Sequence, residues 1–351
     1  MFARWYCLSG LFAAAVLLMS GIASADATRF KPIEFEELPG WQQDDLSDTL
    51  IAFRISCRRA KDPRLTTAEW SGICAASKRA KDPRQFFEAH FRPVQVMPQE
   101  QVLFTGYYEP ELKGSRERGG AFQYPIYRKP RDWSGKGRWK SRAEIESGAM
   151  HGRGLELAWL TDPVEAYFLQ IQGSGRIRLT DGGAMRAGFS ASNGHEYRSI
   201  GKELIRRGSL GGRGITASAI KKWVRENPRE GQELLNHNPR YVFFREVTDL
   251  PEDAGPIGAM SVPLSPLRSI AVDPKYIPLG SPVWIDKQGK DPLRRLLIAQ
   301  DVGGAVNGPH RGDIFYGSGR DAGRIAGRTN HPGNIYILLP KAALGSFAPR
   351  T

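Results

Sequence analysis

Three aspartates offer the most chemistry in this 351-residue chain. Asp273, Asp301 and Asp313 lie between Ala271 and Gly317, each at the edge of a short apolar run and close to glycine or proline. A strand end followed by a tight turn is where a side chain can leave a rigid sheet and face a cleft. Carboxylates that converge there cannot all ionise freely, because like charges at close range raise the pKa of at least one. A carboxylic acid still protonated near neutral pH is what general-acid cleavage of a glycosidic bond requires.

Asp313 sits in Arg311-Gly312-Asp313-Ile314-Phe315-Tyr316. Ile314 and Phe315 give it an apolar setting that disfavours charge, and Gly312 leaves room for backbone or substrate. The plain alternative is a strand-edge aspartate capping a turn. Asp301, in Gln300-Asp301-Val302-Gly303-Gly304, suits a pKa-raising neighbour, a direct hydrogen bond to substrate, or an Asx-type turn. Asp273 precedes Pro274 and leans further toward turn initiation.

These elements belong to a chain whose order reads as short strands between Gly/Pro turns from Pro239 onward. They fall at 242–247, 268–272, 282–285, 296–299, 313–316 and 335–339, a pattern that argues for a barrel over βαβ layers. Upstream, Leu46, Leu50, Phe53 and Cys57 recur at helical spacing. RAKDPR occurs at 59–64 and 79–84, and the second copy predicts a helix start with Asp82 as N-cap and Pro83 in the first turn. A strand is expected from Gln101 to Tyr108, then a Gly- and charge-rich excursion over 111–140. Further expectations are a capping box at Ser141 to Glu144, a helical turn at Asp162-Pro163, a strand at Leu169 to Ile171, and helices at 197–207 and 216–227.

The sequence resembles the three-aspartate barrel domain of the membrane-bound lytic murein transglycosylase A family. The resemblance rests on VDPKYIPLGSPVWI, DVGGAVNGPHRGDIFYGSG, the glycines at 323, 327 and 333, and YILLP at 336–340. Upstream it rests on FTGYYEP at 104–110, QIQGSGRI at 170–177, YRSIGKELI at 197–205 and NHNPRYVFF at 236–244. It implies a mainly β fold with some α: a double-psi β-barrel formed by 26–106 and 237–351, with a smaller β-rich domain, 107–236, inserted. The sugar groove would lie between them. By position in the motif Asp313 matches the family's catalytic acid, and Asp301 and Asp273 match its two supporting aspartates. The resemblance implies cleavage of the β-1,4 bond between N-acetylmuramic acid and N-acetylglucosamine, with attack by the muramoyl 6-hydroxyl in place of water. Well-oriented intramolecular attack is worth effective molarities on the order of 10⁵–10⁸ M, so one acid would suffice. Nothing in spacing alone separates this from two-carboxylate hydrolysis on a similar barrel, or from a wall-binding module that keeps only the groove.

For the groove, Thr105 and Tyr107 share a side of one extended segment, and Gln172 and Ser174 come from another. Core packing competes for Tyr107, and Glu109 before Pro110 suits a second carboxylate or a turn equally. His195, His310 and His331 lack a zincin-like or other ligand spacing, so no metal and no cofactor is expected.

Lys plus Arg outnumber Asp plus Glu by 50 to 37, a formal net charge of +13. A basic surface suits an anionic polymer. Residues 1–25 read as a secretory leader, with Arg4 ahead of an apolar run from Leu11 to Ile22 and Ala23-Ser24-Ala25 as the cleavage site; an uncleaved membrane anchor is the alternative, against which the run is short of the ~20 residues a span needs. An exported protein rarely meets nucleic acid, so peptidoglycan glycan strands are the expected partner, alongside other cell-wall enzymes. Cys7 precedes the apolar run instead of following it, so no lipid anchor is expected and the mature protein is expected to be soluble in the periplasm or outside the cell. That leaves Cys57 and Cys74, which an oxidising compartment favours as a disulfide contributing about 3 kcal/mol; two buried thiols are the alternative.

Overall fold

A computed structural model describes residues 29–65, 68–97, 100–209 and 216–347. The leader, with Arg4 and Cys7, lies outside them. Eight strands make the larger sheet: β1 (Arg29–Pro32), β2 (Phe91–Met97), β3 (Val102–Glu109), β10 (Ser269–Ala271), β11 (Pro282–Lys287), β12 (Leu293–Asp301), β13 (Arg311–Ser318) and β14 (Asn330–Pro340). The long β14 pairs with β11 and β2 along its second half and with β3 through Asn330 to Gly333. Because β3 also pairs with β13, the order β14-β11-β12-β10-β13-β3 returns on itself as a barrel. Closure removes the open edge that a free β3 would present. Phe104, Ile270, Val283, Ile285, Leu297, Ile314 and Ile337 fill its interior, all fully buried. This is the mainly β barrel expected from the sequence.

Helices Ser47–Ser56, Ala68–Arg79 and Pro83–His90 pack on the barrel's outside around Phe53, Phe87, Phe91 and Trp284. Asp82 caps the third, its Oδ1 accepting from the Gln85 amide at 3.0 Å. Cys57 and Cys74 are joined as a disulfide that staples the first two helices. Asp44 and Arg268, both buried, form a two-pronged ion pair that ties this layer to the sheet.

The second sheet holds β4 (Glu111–Ser115), β5 (Tyr124–Tyr127), β6 (Glu156–Leu160), β7 (Gly175–Leu179), β8 (Ala184–Ser192) and β9 (Val242–Glu246), in the order β5-β6-β4-β7-β8-β9. Helices Pro163–Gln172, Ile200–Arg206, Ala217–Glu226 and Pro228–His237 share an apolar cluster beside it. Two local expectations differ from this arrangement. The inserted unit does not end at 236: β9 pairs with β8, because Phe243 and Phe244 suit the interior of either sheet and periodicity cannot choose between them. Leu169 to Ile171 is not a strand but the last turn of helix Pro163–Gln172, ended by Gly173 in the left-handed conformation.

Candidate active site

Strand pairing gathers two of the three aspartates. Ala271, at the end of β10, is opposite Asp301 on one neighbour and Asp313 on the other, so the two acids flank one backbone position. On the far side of β13, Asp313 is in register with Thr105, whose Oγ1 donates to Asp313 Oδ1 at 2.8 Å. Tyr107, two residues on and on the same face, packs on Phe315 with ring centroids 5.3 Å apart and donates its hydroxyl to Asp301 Oδ2 at 2.9 Å. Gly312 lies beneath them: a Cβ there would meet Ile270 and Phe104 within 3.0 Å. Its room is therefore taken by the barrel core and not by backbone or substrate.

The three carboxylates differ in how fully they are committed. Asp301 Oδ1 accepts from the amides of Ala259 and Val302, both at 2.9 Å, while Oδ2 accepts from Tyr107. Asp273 Oδ1 accepts from the Lys275 amide at 3.0 Å and Oδ2 from the Gly308 amide at 2.8 Å, clasping the loop after β10 to the loop before β13. Asp313 has the Thr105 hydroxyl on Oδ1, and no hydrogen bond to Oδ2 among the described residues. Arg311 stands nearby but spends its guanidinium on the Leu103 carbonyl and the Thr105 hydroxyl.

Electrostatics follow from this. Burial is the largest influence on Asp313 and raises its pKa to about 6. The Thr105 hydrogen bond and the Arg311 charge oppose the rise, and Asp301 adds to it. Burial also raises Asp301, against the pull of the two amides and Tyr107. The Tyr107 hydroxyl is pushed far above its usual value, first by burial and then by the charges of Asp301 and Asp313, so it stays protonated and able to donate.

A groove opens over these acids between the two sheets. One cavity of about 410 Å³ is lined by Asp301, Gln172, Ser174, Ile171, Phe189, Ala259 and Arg245, among others. A second, of about 110 Å³, reaches Asp313 and shares Gln170, Ile171, Arg240, Val242, Gly303 and Gly304 with the first. Gln172 and Ser174 therefore belong to the groove wall, with Gln172 Oε1 also accepting from the Tyr108 amide at 3.0 Å. Thr105 and Tyr107 lie below the acids and line neither cavity. Asp273 is buried and likewise lines neither cavity. Ile171, Phe189 and Val302 are large apolar side chains left exposed at the groove, and the planar ring of Phe189 suits a sugar face. Arg240 and Phe189 are groove residues that the sequence did not single out, although Arg240 stands inside the NHNPRYVFF segment. Glu109 is fully buried and lines neither cavity. Among the described residues no group of three His, Cys, Asp or Glu side chains is placed to hold a metal ion.

Comparison with known proteins adds a further finding. Residues 103–245 match the MltA specific insert domain, and residues 268–339 match the 3D domain. The chain is 39% identical over 256 residues to the membrane-bound lytic murein transglycosylase A of Escherichia coli K12, covering 70% of this chain and 67% of that one. The membrane-bound lytic murein transglycosylase of Agrobacterium tumefaciens superimposes with a TM-score of 0.80 at 33% identity, covering 91% and 99% of the two chains. Escherichia coli MltA with bound chitohexaose gives a TM-score of 0.71 at 30% identity, covering 90% and 95%. The soluble protein expected from the sequence is corrected here: the curated relatives carry "membrane-bound" in their names, which points to membrane association. The position of Cys7 speaks only to one kind of lipid anchor, and attachment to a bilayer has other routes. No helix among the described residues is long and apolar enough to cross a membrane.

Proposed function

Because the chain belongs to the membrane-bound lytic murein transglycosylase A family, we propose that Asp313 alone supplies the acid and base for non-hydrolytic cleavage of the murein glycan. The protonated Asp313 carboxyl donates to the oxygen linking N-acetylmuramic acid C1 to N-acetylglucosamine C4. As the C1–O bond breaks, positive charge grows on the muramoyl ring. The 6-hydroxyl of the same ring attacks C1, and the Asp313 carboxylate takes up its proton. One C–O bond breaks and one forms, no water is consumed, and the product ends in a 1,6-anhydro ring.

The observation that carries this reading is the unequal commitment of the carboxylates. Hydrolysis requires a second carboxylate free to activate water or attack the sugar. Asp301 and Asp273 each have hydrogen bonds on both oxygens. Of the three, Asp313 alone keeps an oxygen without a hydrogen bond among the described residues, and it lines the smaller cavity with a pKa of about 6. Asp301 then serves to hold Tyr107 and the loop at Ala259, and its charge helps keep the proton on Asp313. The substrate is the glycan strand of peptidoglycan, a reading supported by the chitohexaose complex of the Escherichia coli relative. Its place is the cell envelope, in association with membrane, as the relatives' names suggest.

Digestion of purified sacculi with mass analysis of the products tests the chemistry. Anhydro-ended muropeptides, lighter by one water than reducing-ended ones, are expected. Reducing ends would establish a hydrolase instead, and absence of release would leave a wall-binding protein.

A further inference from the structure

Arg240 differs from the other buried or partly buried arginines of this molecule in its surroundings. Arg142, almost wholly buried, donates to Asn238 O, Arg240 O, Gln170 and Glu146. Arg268 is paired with Asp44, and Arg176 with Glu109. Arg240 is half-buried on the wall shared by the two cavities, one holding Asp301 and the other Asp313. Among the described residues it has no carboxylate partner. Its guanidinium makes one hydrogen bond there, at the 3.5 Å limit, to the His195 carbonyl. Burial lowers its pKa with no opposing charge to restore it.

The backbone around it is firmly held. Fully buried Asn238 accepts through Oδ1 from the amides of Arg240 and Arg198 at 3.3 and 3.2 Å. Arg142 donates to the Arg240 carbonyl at 2.6 Å. Gly304 runs close against the side chain: a Cβ at that position would come within 3.2 Å of the guanidinium. A partly desolvated cation, fixed in place and without a carboxylate, leaves most of its five donors for a ligand. Planar guanidinium donors match a carboxylate best.

We propose that Arg240 is a specificity-determining residue that binds a carboxylate carried by the muramoyl substituent of the glycan, either the lactyl group or the stem peptide attached to it. The proposal deepens the murein reading above and rests on it. It gives the groove a means of telling muramoyl rings from N-acetylglucosamine, which has no acidic substituent, and so of setting which ring lies over Asp313.

The test measures binding in an Asp313→Asn background, so that no probe is cleaved and the result does not depend on the bond-breaking chemistry. Three probes are compared: chitohexaose, a peptide-free alternating glycan with lactyl carboxylates, and the same glycan carrying stem peptides. Adding Arg240→Gln is expected to weaken binding of a carboxylate-bearing probe by about tenfold or more, the range for a charge-assisted hydrogen bond. Chitohexaose binding should stay within about twofold, which also shows that the variant is folded. Arg240→Lys should recover part of the loss. Because the stem peptide is joined by an amide at the lactyl carboxyl, weakening of the peptide-free acidic probe alone assigns the lactyl carboxylate, weakening of the peptide-bearing one alone assigns a carboxylate of the peptide, and weakening of both means that Arg240 accepts either. An equal loss on all three probes, or no loss on any, overturns the proposal. Failure of the murein reading would show separately, in the products of the unmodified protein.

Discussion

Asp313 and Glu109 occupy the same β3–β13 ladder. Asp313 is opposite Thr105, and Glu109 is opposite Ser318 a few residues further along. Both carboxylates are largely withdrawn from water, yet their surroundings give them different work. Glu109 Oε2 accepts from Arg176 Nε at 2.8 Å and from the Ser318 hydroxyl at 2.7 Å, and Arg186 stands 3.6 Å from Oε1. Arg176 and Arg186 come from β7 and β8, and both also donate to the Ala254 carbonyl. Glu109 thus joins the barrel to the second sheet through compensated charge. Asp313 has a neutral hydroxyl, an arginine engaged elsewhere and a second acid nearby, so desolvation favours its proton. Burial alone makes neither an acid catalyst nor a structural anchor; the partners decide.

Substitutions can break this contrast at either end. The largest effect is expected from Asp313→Asn, which removes the proton donor while keeping shape. Murein turnover should fall by about 10²–10⁴-fold, measured as muropeptide release, with little loss of stability. Glu109→Ala should do the reverse. It leaves Arg176 and Arg186 without their carboxylate and is expected to cost about 3–5 kcal/mol in urea unfolding. Reducing the Cys57–Cys74 bond, remote from both acids, should cost about 3 kcal/mol by loop-closure entropy and leave turnover per folded molecule unchanged.

A pH comparison sharpens the same contrast. Asp313 has a raised folded pKa, so the native state holds its proton more tightly than the unfolded chain does. Its contribution to stability is therefore full below the unfolded value near 3.8 and is lost as pH rises toward about 6. Asp313→Asn should accordingly be more stable than the unmodified protein at pH 8 and not at pH 3, by about 1–2 kcal/mol given the partial solvation of the group. The smallest effect is expected from Tyr107→Phe. Losing the hydroxyl that donates to Asp301 should destabilise by about 1 kcal/mol and raise the Asp301 pKa further, without abolishing turnover.

Some of this organisation was legible in the residues and some was not. The three aspartates stood out because each ends an apolar run at a turn, a local pattern that needs no partner to be seen. The N-cap at Asp82 and the capping box at Ser141 were readable for the same reason, since their donors and acceptors are three residues apart. Which sheet β9 joins was not, because its partner β8 lies some fifty residues upstream and buried aromatics suit either interior. Leu169 to Ile171 is apolar enough for a strand, and only the packing of the whole helix Pro163–Gln172 against its neighbours decides otherwise. Arg240 was hidden most deeply. Among 50 Lys and Arg residues, composition cannot tell which ones lack a carboxylate, since that depends on what the fold brings beside them.

Direct titration of the Asp313 side chain tests the central claim most closely. With carboxyl-carbon labelling, and Asp313→Asn to assign the resonance, its midpoint should lie near pH 6. A midpoint near 4, the value of a solvated aspartate, would show that the groove does not hold a proton at this position and would contradict its role as the acid.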